Sequence, residues 1–469
     1  MRVAKLIMFF LFASLGSCAV KTPVRKTAIA SPEAWASPTS SSLVGQTADI
    51  KEWWKIFHDA KLDALIAEAT NANLDMKLAE ARLREARALT GVAEAGLRPS
   101  IGAAGNAQRI RGGFPQGLKR VAVTPGASSE IGVFQAGFDA SWELDMFGKL
   151  RAETQAAVAD ARAAEEMRRD VLISALAEVA RNYIELRGFQ KRLEIVRSVI
   201  AVQNETLTLT RIRAKAGLAP ALDVARAETE LAREESLTHG LEASILCNAH
   251  RISVLLGKNP GDLRDELLSP HFVSAKPSEI PIGLPSELLQ RRPDLRRAEA
   301  EVAAALARLN AAKSERFPKF SLTGFVGRQG SSGGLSLGTG NFFAVGPSVS
   351  LPIFTAGRIR SAIHVRDAQA EQALIRYQSA TLRAFEDVEN ALTAYAYECE
   401  RREKLRAAVE AAGLTVELSR ERYAHGLEDF LGTLDAQRTR LSNQDELAAS
   451  ETRTSVELIR IYKSLGGGW

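Results

Sequence analysis

The chain is poor in the residues on which most catalytic, redox and metal chemistry depends. Three cysteines occur in 469 residues, at positions 18, 247 and 399. That is too few for the disulfide framework that staples small secreted domains. The six histidines, at 58, 239, 250, 271, 364 and 425, are scattered, and no two stand at a metal-ligand spacing. No metal site and no soluble cofactor are therefore expected. There is no Gly-x-x-x-x-Gly-Lys-Ser/Thr loop to cradle a nucleotide. Gly330-Ser331-Ser332-Gly333-Gly334 matches a nucleophile elbow in letters only, because no helix opens after it. No catalytic residue is expected, and the chain is read as a non-enzyme. The formal charge is +5, spread as Arg beside Glu along helical stretches rather than gathered in a patch. That pattern excludes nucleic acid as a partner.

Proline is missing over long reaches, with none between Pro125 and Pro220 and none after Pro352. Such stretches are free to form very long helices. The first runs from about Met146 to Ala214, on the order of 100 Å at about 1.5 Å per residue. Leu172, Leu176, Val179, Tyr183, Leu186, Leu193 and Ile200 make a seven-residue seam along it, broken by Gln190 and Arg197. A seam of this kind implies coiled-coil packing against other helices. Ala216-Gly217-Leu218-Ala219-Pro220 turns the chain, which returns as Leu222 to Leu256. A shorter helix is expected earlier, from Lys61 to Leu97, stopped by Pro99. Cys399 continues the apolar series Phe385, Val388, Leu392, Tyr395 and reads as core packing, with no disulfide expected.

The chain also says nearly the same thing twice. Gly148-Lys149-Leu150-Arg151 returns as Gly357-Arg358-Ile359-Arg360, and Leu256-Gly257 as Leu465-Gly466, at an offset of 209 positions. Asp75, Ala79, Glu80 and Ala81 return as Asp294, Ala298, Glu299 and Ala300 at an offset of 219. The domain plan is a signal over 1–17, an N-terminal tether over 18–60, repeat one over 61–270, a linker over 271–286 and repeat two over 287–469. A large internal repeat argues for a pseudo-symmetric scaffold rather than one cleft.

Each repeat changes period before its long helix. Phe134, Ala136, Phe138, Ala140 and Trp142 alternate with Gln135, Gly137, Asp139 and Ser141, and Ser100 to Ile110 is the partner. The first hairpin is expected over 100–143 and the second over 319–351, where Phe343, Val345, Pro347 and Val349 alternate with small and polar residues. The lengths match transmembrane β-strands of about 9–11 residues, although a pair of soluble hairpins fits the alternation as well. Four strands close no barrel, and open edges are not tolerated in lipid, so several chains must share one. Strand count alone does not choose between two and three.

The N-terminus reads as an export signal. Arg2 and Lys5 precede the apolar run Leu6 to Leu15, half of the roughly 20 residues a spanning helix needs. The run ends in Leu15-Gly16-Ser17-Cys18, which resembles a bacterial lipobox. The resemblance implies S-diacylglycerol and N-palmitoyl chains on Cys18, the first mature residue. Ala19, in place of an inner-membrane-retaining Asp, implies sorting to the outer membrane.

Five motifs in order resemble the outer-membrane factor family, TolC-like channels of tripartite efflux and export systems, and in particular its lipoprotein branch. They are Trp53-Trp54-Lys55-Ile56-Phe57, Trp142-Glu143-Leu144-Asp145-Met146-Phe147-Gly148-Lys149, Leu288 to Glu299 around Arg291-Arg292-Pro293-Asp294, Leu351-Pro352-Ile353-Phe354-Thr355-Ala356-Gly357-Arg358, and Tyr462 to Trp469. The fold class this implies is mostly α with transmembrane β. Four strands per chain join a shared twelve-stranded barrel in a homotrimer, continued by a coiled-coil helical tunnel. Outer-membrane lipid, a periplasmic adaptor and an inner-membrane pump are the implied partners, and the implied function is a passive exit duct for small molecules such as drugs. A type I protein-secretion duct and a coiled-coil envelope lipoprotein stand as alternatives. By the same resemblance Tyr423 and Asp435 lie near a closed aperture, and Asp223 matches a carboxylate that bonds such a tyrosine. Asp429 matches an aperture acid of the lipoprotein branch. At Glu428 and Gly432 the chain departs from a well-known member, which has an arginine and an acid there, so its closing network does not carry over intact. All three aspartates also suit helix starts.

Overall fold

The computed structural model describes residues 32–37, 43–44, 50–111, 130–269, 280–281, 284–333, 340–425, 427 and 429–469. Cys18, the export signal, most of the tether, residues 112–129, 270–279 and 334–339, Gly426 and Glu428 lie outside them. The helices are α1 (Ala60–Ala72), α2 (Leu74–Ala95), α3 (Lys149–Lys215), α4 (Ala221–Leu255), α5 (Arg264–Leu268), α6 (Pro285–Arg291), α7 (Pro293–Ser314), α8 (Arg358–Ala424) and α9 (Phe430–Ser464). The long strands are β1 (Ser100–Arg111), β2 (Glu130–Leu144), β3 (Lys319–Gly333) and β4 (Gly340–Ser350). A two-residue parallel pairing joins Leu43–Val44 to Ile280–Pro281.

The repeat is visible in the element lengths. Both α3 and α8 have 67 residues, both α4 and α9 have 35, and both α2 and α7 have 22. One expected helix is two. The stretch read as continuous from Lys61 to Leu97 breaks at Asn73, whose ψ of 131° is not helical. Asn73 is buried there. Its Oδ1 accepts from Met76 N at 3.0 Å, starting α2, and its Nδ2 donates to Leu255 O at 2.8 Å, at the end of α4.

The chain divides into two compact units, the first holding residues 84–163 and 298–376. It contains one antiparallel sheet in the order β1-β2-β3-β4. The two hairpins meet through β2 and β3, with Phe138 opposite Val326 and Asp139 opposite Phe325. One face carries Ile101, Phe134, Phe138, Trp142, Val326 and Phe343, all exposed, and Phe343 is 81% exposed. The other carries Asn106, Gln135, Asp139, Ser321 and Thr323. Beyond the sheet, Asp145 starts α3 by accepting from Leu150 N and Arg151 N at 3.1 and 2.9 Å. Gly148, at φ +78°, makes that corner in a conformation L side chains avoid. Small buried residues Ala152, Ala156, Ala159 and Ala163 let α3 approach its neighbours closely. Thr154 and Thr90 accordingly bond across to the Ala93 and Ala157 carbonyls, each at 3.3 Å.

The second unit, residues 28–83, 164–297 and 377–469, holds the main apolar core. The seam read along α3 is real: Leu176, Val179, Tyr183, Leu186 and Leu193 are buried, and Leu172 and Ile200 pack against them. Its polar interruptions have partners. Gln190 Nε2 donates to Leu267 O at 3.0 Å, and Arg197 pairs with Glu242 at 2.8 Å. Trp53 stacks on Tyr462 at 5.7 Å between centroids. Tyr183 donates its hydroxyl to Asp59, the N-cap of α1, at 2.8 Å, and burial pushes the phenol up to about 12. Arg292 reaches Asp294 at 2.7 Å, Asp387 at 3.1 Å and Ser464 O at 3.1 Å, tying α7, α8 and α9 together. The Arg-Arg-Pro-Asp motif is thus a structural brace. Trp469 is faced by Arg169 and Arg296 at 4.3 and 5.2 Å. Residues 32–37 lie against α8, where Ala36 N and Ser37 N donate to the Glu389 carboxylate at 2.8 and 2.9 Å. Cys247 and Cys399 are free thiols.

Candidate functional site

The two helix turns carry the candidate gate, and both close with the same backbone bond. Leu218 N donates to Arg213 O at 2.9 Å after α3, and Leu427 N to Arg422 O at 2.8 Å after α8. This six-to-one bond ends a helix when the preceding residue is left-handed, as Gly217 is at φ +75°. The turns differ in how the return helix starts. At α4 Pro220 occupies the cap position and offers no side-chain bond, whereas Asp429 caps α9 by accepting from Gly432 N at 3.1 Å. Asp429 therefore does the work of a helix cap, and its neighbour Glu428 lies outside the described residues.

Asp223 lies in the first turn of α4, mostly buried, with the Arg226 guanidinium 3.7 Å away. Tyr423, on the last turn of α8, packs against a cluster of Leu207, Val224, Ala227, Leu231 and Leu434. The Arg213 guanidinium lies 4.5 Å from the centre of its ring. The structure thus brings Tyr423 to α3, α4 and α9 together and gives its ring a cation partner from the other turn. Thr433 Oγ1 donates to Ser419 O at 3.3 Å and closes the α8–α9 hairpin just above. At the turns themselves Leu218 and Leu427 are 71% and 69% exposed, and Leu222 and Leu431 are exposed beside them.

Asp435 is exposed and lines a cavity of about 730 Å³ with Arg192, Glu230, Glu234, Arg438 and Asp445. This charged cluster was not singled out from sequence. Arg438 of α9 pairs with Glu230 of α4 at 3.1 Å, and Arg192 of α3 holds Asp445 of α9 at 2.7 Å. Glu234 is 3% exposed, and its Oε2 has no hydrogen-bond partner. Burial, then the neighbouring Glu230 charge, push its carboxyl up to about 7 against a weaker opposing pull from Arg233. A signal was present: Ala227, Glu234 and Leu241 stand seven apart, so a carboxylate occupies a seam position of α4. Among the described residues no group of three or more His, Cys, Asp or Glu side chains is placed to hold a metal ion. No helix among them is long and apolar enough to cross a membrane.

An exposed apolar sheet face, long paired helices and a cluster of side chains at their turns are features that suit a conduit wall. A sequence model of the family described as outer membrane efflux protein matches residues 65–258 and 284–467. The chain belongs to that family. It is 31% identical to the toluene efflux pump outer membrane protein TtgC of Pseudomonas putida over 471 aligned positions, spanning 97% of this chain and 93% of TtgC. It is 30% identical to the pyoverdine export outer membrane protein OpmQ of the same species, spanning 97% and 96%. Among solved structures it is similar to the outer-membrane channel OprN, at 33% identity and a TM-score of 0.85, covering 96% of this chain and 100% of that one. Campylobacter jejuni CmeC, at 21% identity and a TM-score of 0.85 over 97% and 95%, shares the fold. The protein is an outer-membrane efflux channel, the outer-membrane duct of an efflux system. Its fold class, long helical hairpins with four strands per chain for a barrel, is the one that the motifs and the alternation imply.

Proposed function

We propose that three copies of this chain close one twelve-stranded barrel and form a passive duct without catalytic groups, gated at the turns after α3 and α8. The observation that carries this reading is the four-stranded sheet. Its apolar face suits lipid, yet among the described residues β1 and β4 each leave an edge unpaired. Lipid does not tolerate such edges, and further copies of the same sheet supply matching ones. The exposed leucines at the two turns offer apolar contacts at equivalent repeat positions, suited to the periplasmic adaptor that links the duct to an inner-membrane pump. The pump supplies the energy. Relatives named for toluene, antibiotics and pyoverdine favour small molecules as cargo. Diacylglycerol and palmitoyl chains on Cys18 anchor the N-terminus, and Asp223, Tyr423, Asp429 and Asp435 hold or line the aperture.

Native mass spectrometry of the protein extracted from outer membrane in mild detergent tests the reading. The expected particle is three chains, each heavier than the polypeptide from Cys18 onward by its acyl groups. A monomer would remove the shared barrel, and an unmodified mass would remove the anchor.

A further inference from the structure

The polar face of the sheet contains one feature that barrel construction does not ask for. Lumen-facing positions of a membrane barrel are ordinarily polar, and most of these are, including Asn106, Gln135, Asp139, Ser321 and Thr323. Phe325 and Phe342 stand on the same face, since Phe325 is opposite Asp139 and Phe342 is opposite Gly327. Their rings stack at 4.7 Å between centroids and 15° between planes, and each remains half-exposed. The backbone below is made for them. Gly137 and Gly327 are register partners, and a Cβ on either would come within 2.9 or 2.8 Å of the Phe325 ring. The ring therefore lies across a cross-strand glycine pair. Covering such a pair accounts for Phe325. It does not account for a second phenylalanine stacked beside it on the water side.

Asp139 completes the arrangement. It stands across from Phe325 on the same face, and its exposed carboxylate leans over Gly102 of β1, one strand beyond the rings, within the span of a flat multi-ring cation. An aromatic face attracts cations and flat apolar bodies, and the carboxylate adds the charge preference. In a threefold barrel the set recurs three times at one level of the bore.

We propose that Phe325, Phe342 and Asp139 form a lumenal station for planar aromatic cations, at which such cargo rests on its way out. The proposal rests on the reading of this sheet as a barrel wall with its polar face inward. The test uses the full-length protein in planar bilayers, with ethidium as probe. Tetramethylammonium, a cation without rings, and benzenesulfonate, a ring with negative charge, are the controls. Ethidium is expected to reduce the KCl current at concentrations where neither control acts. The F325L/F342L pair, which keeps apolar bulk, and D139N are each expected to raise the half-blocking concentration about tenfold, with the KCl current itself little changed. Blockade that survives both variants, or ethidium behaving as tetramethylammonium does, overturns the station. A wild-type protein that carries no KCl current and also runs as a monomer in mild detergent removes the barrel reading beneath it.

Discussion

Glu234 is the residue at which packing and charge conflict most openly. It sits where an apolar side chain would complete the α4 seam, buried, with one oxygen unpartnered. Its folded-state pKa of about 7 lies above the ordinary glutamate value of 4.5. The folded chain therefore keeps a proton, between those two values, that the unfolded chain has released. The stability linked to this proton is complete below pH 4.5, falls through the window and is lost above pH 7. The steepest loss is about 1.4 kcal/mol per pH unit. An E234Q variant should hold its Tm between pH 5 and pH 8 better than the wild type does. Parallel Tm profiles for the two proteins would show that the carboxyl titrates as an ordinary one. Glu230, Arg233, Asp435, Arg438, Arg192 and Asp445 line the same cavity and are common to both proteins. The seven-residue spacing from Ala227 to Leu241 carries the signal of Glu234 as a misfit, which was not singled out from sequence, but its unpartnered oxygen has no sequence signal, because hydrogen bonding across helices depends on the crossing geometry. For the same reason Tyr423 was legible as a turn residue while the Arg213 guanidinium on its ring was not.

At the scale of elements, absences were the better guide. A proline-free reach placed α3 to within a few residues, the second such reach with the repeat implied α8, and period-two alternation gave both hairpins. The break between α1 and α2 stayed hidden because no proline or glycine marks it. Asn73 is a weak helix former, and what decides its conformation is the Leu255 carbonyl, supplied from far along the chain. Replacing Asn73 with Ala removes the cap of α2 and leaves that buried carbonyl short of a donor. The expected cost is about 1–3 kcal/mol, read as a lower Tm with faster amide exchange confined to the start of α2 and the end of α4. Unchanged exchange at both places would mean that packing alone sets the break. The strand glycines show the reverse case. Gly137 and Gly327 look interchangeable with the other small residues of the alternation until the register sets them opposite each other beneath the Phe325 ring.

At the scale of the whole molecule, the two repeats preserve the scaffold and differ at the turns where we propose the gate. Equivalent glycines turn the chain at 148 and 357 and at 257 and 466, each in the left-handed region. The turns share their closing bond, yet one return helix begins at a proline and the other at an aspartate cap, and only the second turn carries the tyrosine. The gate proposed at these turns needs contacts that join one hairpin to the other, and Tyr423 is placed to make them. Its ring takes the Arg213 guanidinium and the Leu207, Val224 and Leu434 side chains, while its hydroxyl is the group the family resemblance assigns to Asp223. Two variants separate the contributions. Y423F keeps the ring and removes the hydroxyl, and R213A removes the cation and keeps both. If the hydroxyl and Asp223 hold the closed state, Y423F and D223A should each raise single-channel conductance and the pair should add little. If the stacked guanidinium holds it, R213A alone should raise conductance and Y423F should leave it near wild type. The stacked pair is worth about 0.5–2 kcal/mol, enough to shift a closed-to-open ratio severalfold. Conductance unchanged in all three would place the closing contacts elsewhere, and the Arg438–Glu230 pair, which joins α9 to α4 farther from the turns, would be the next to break.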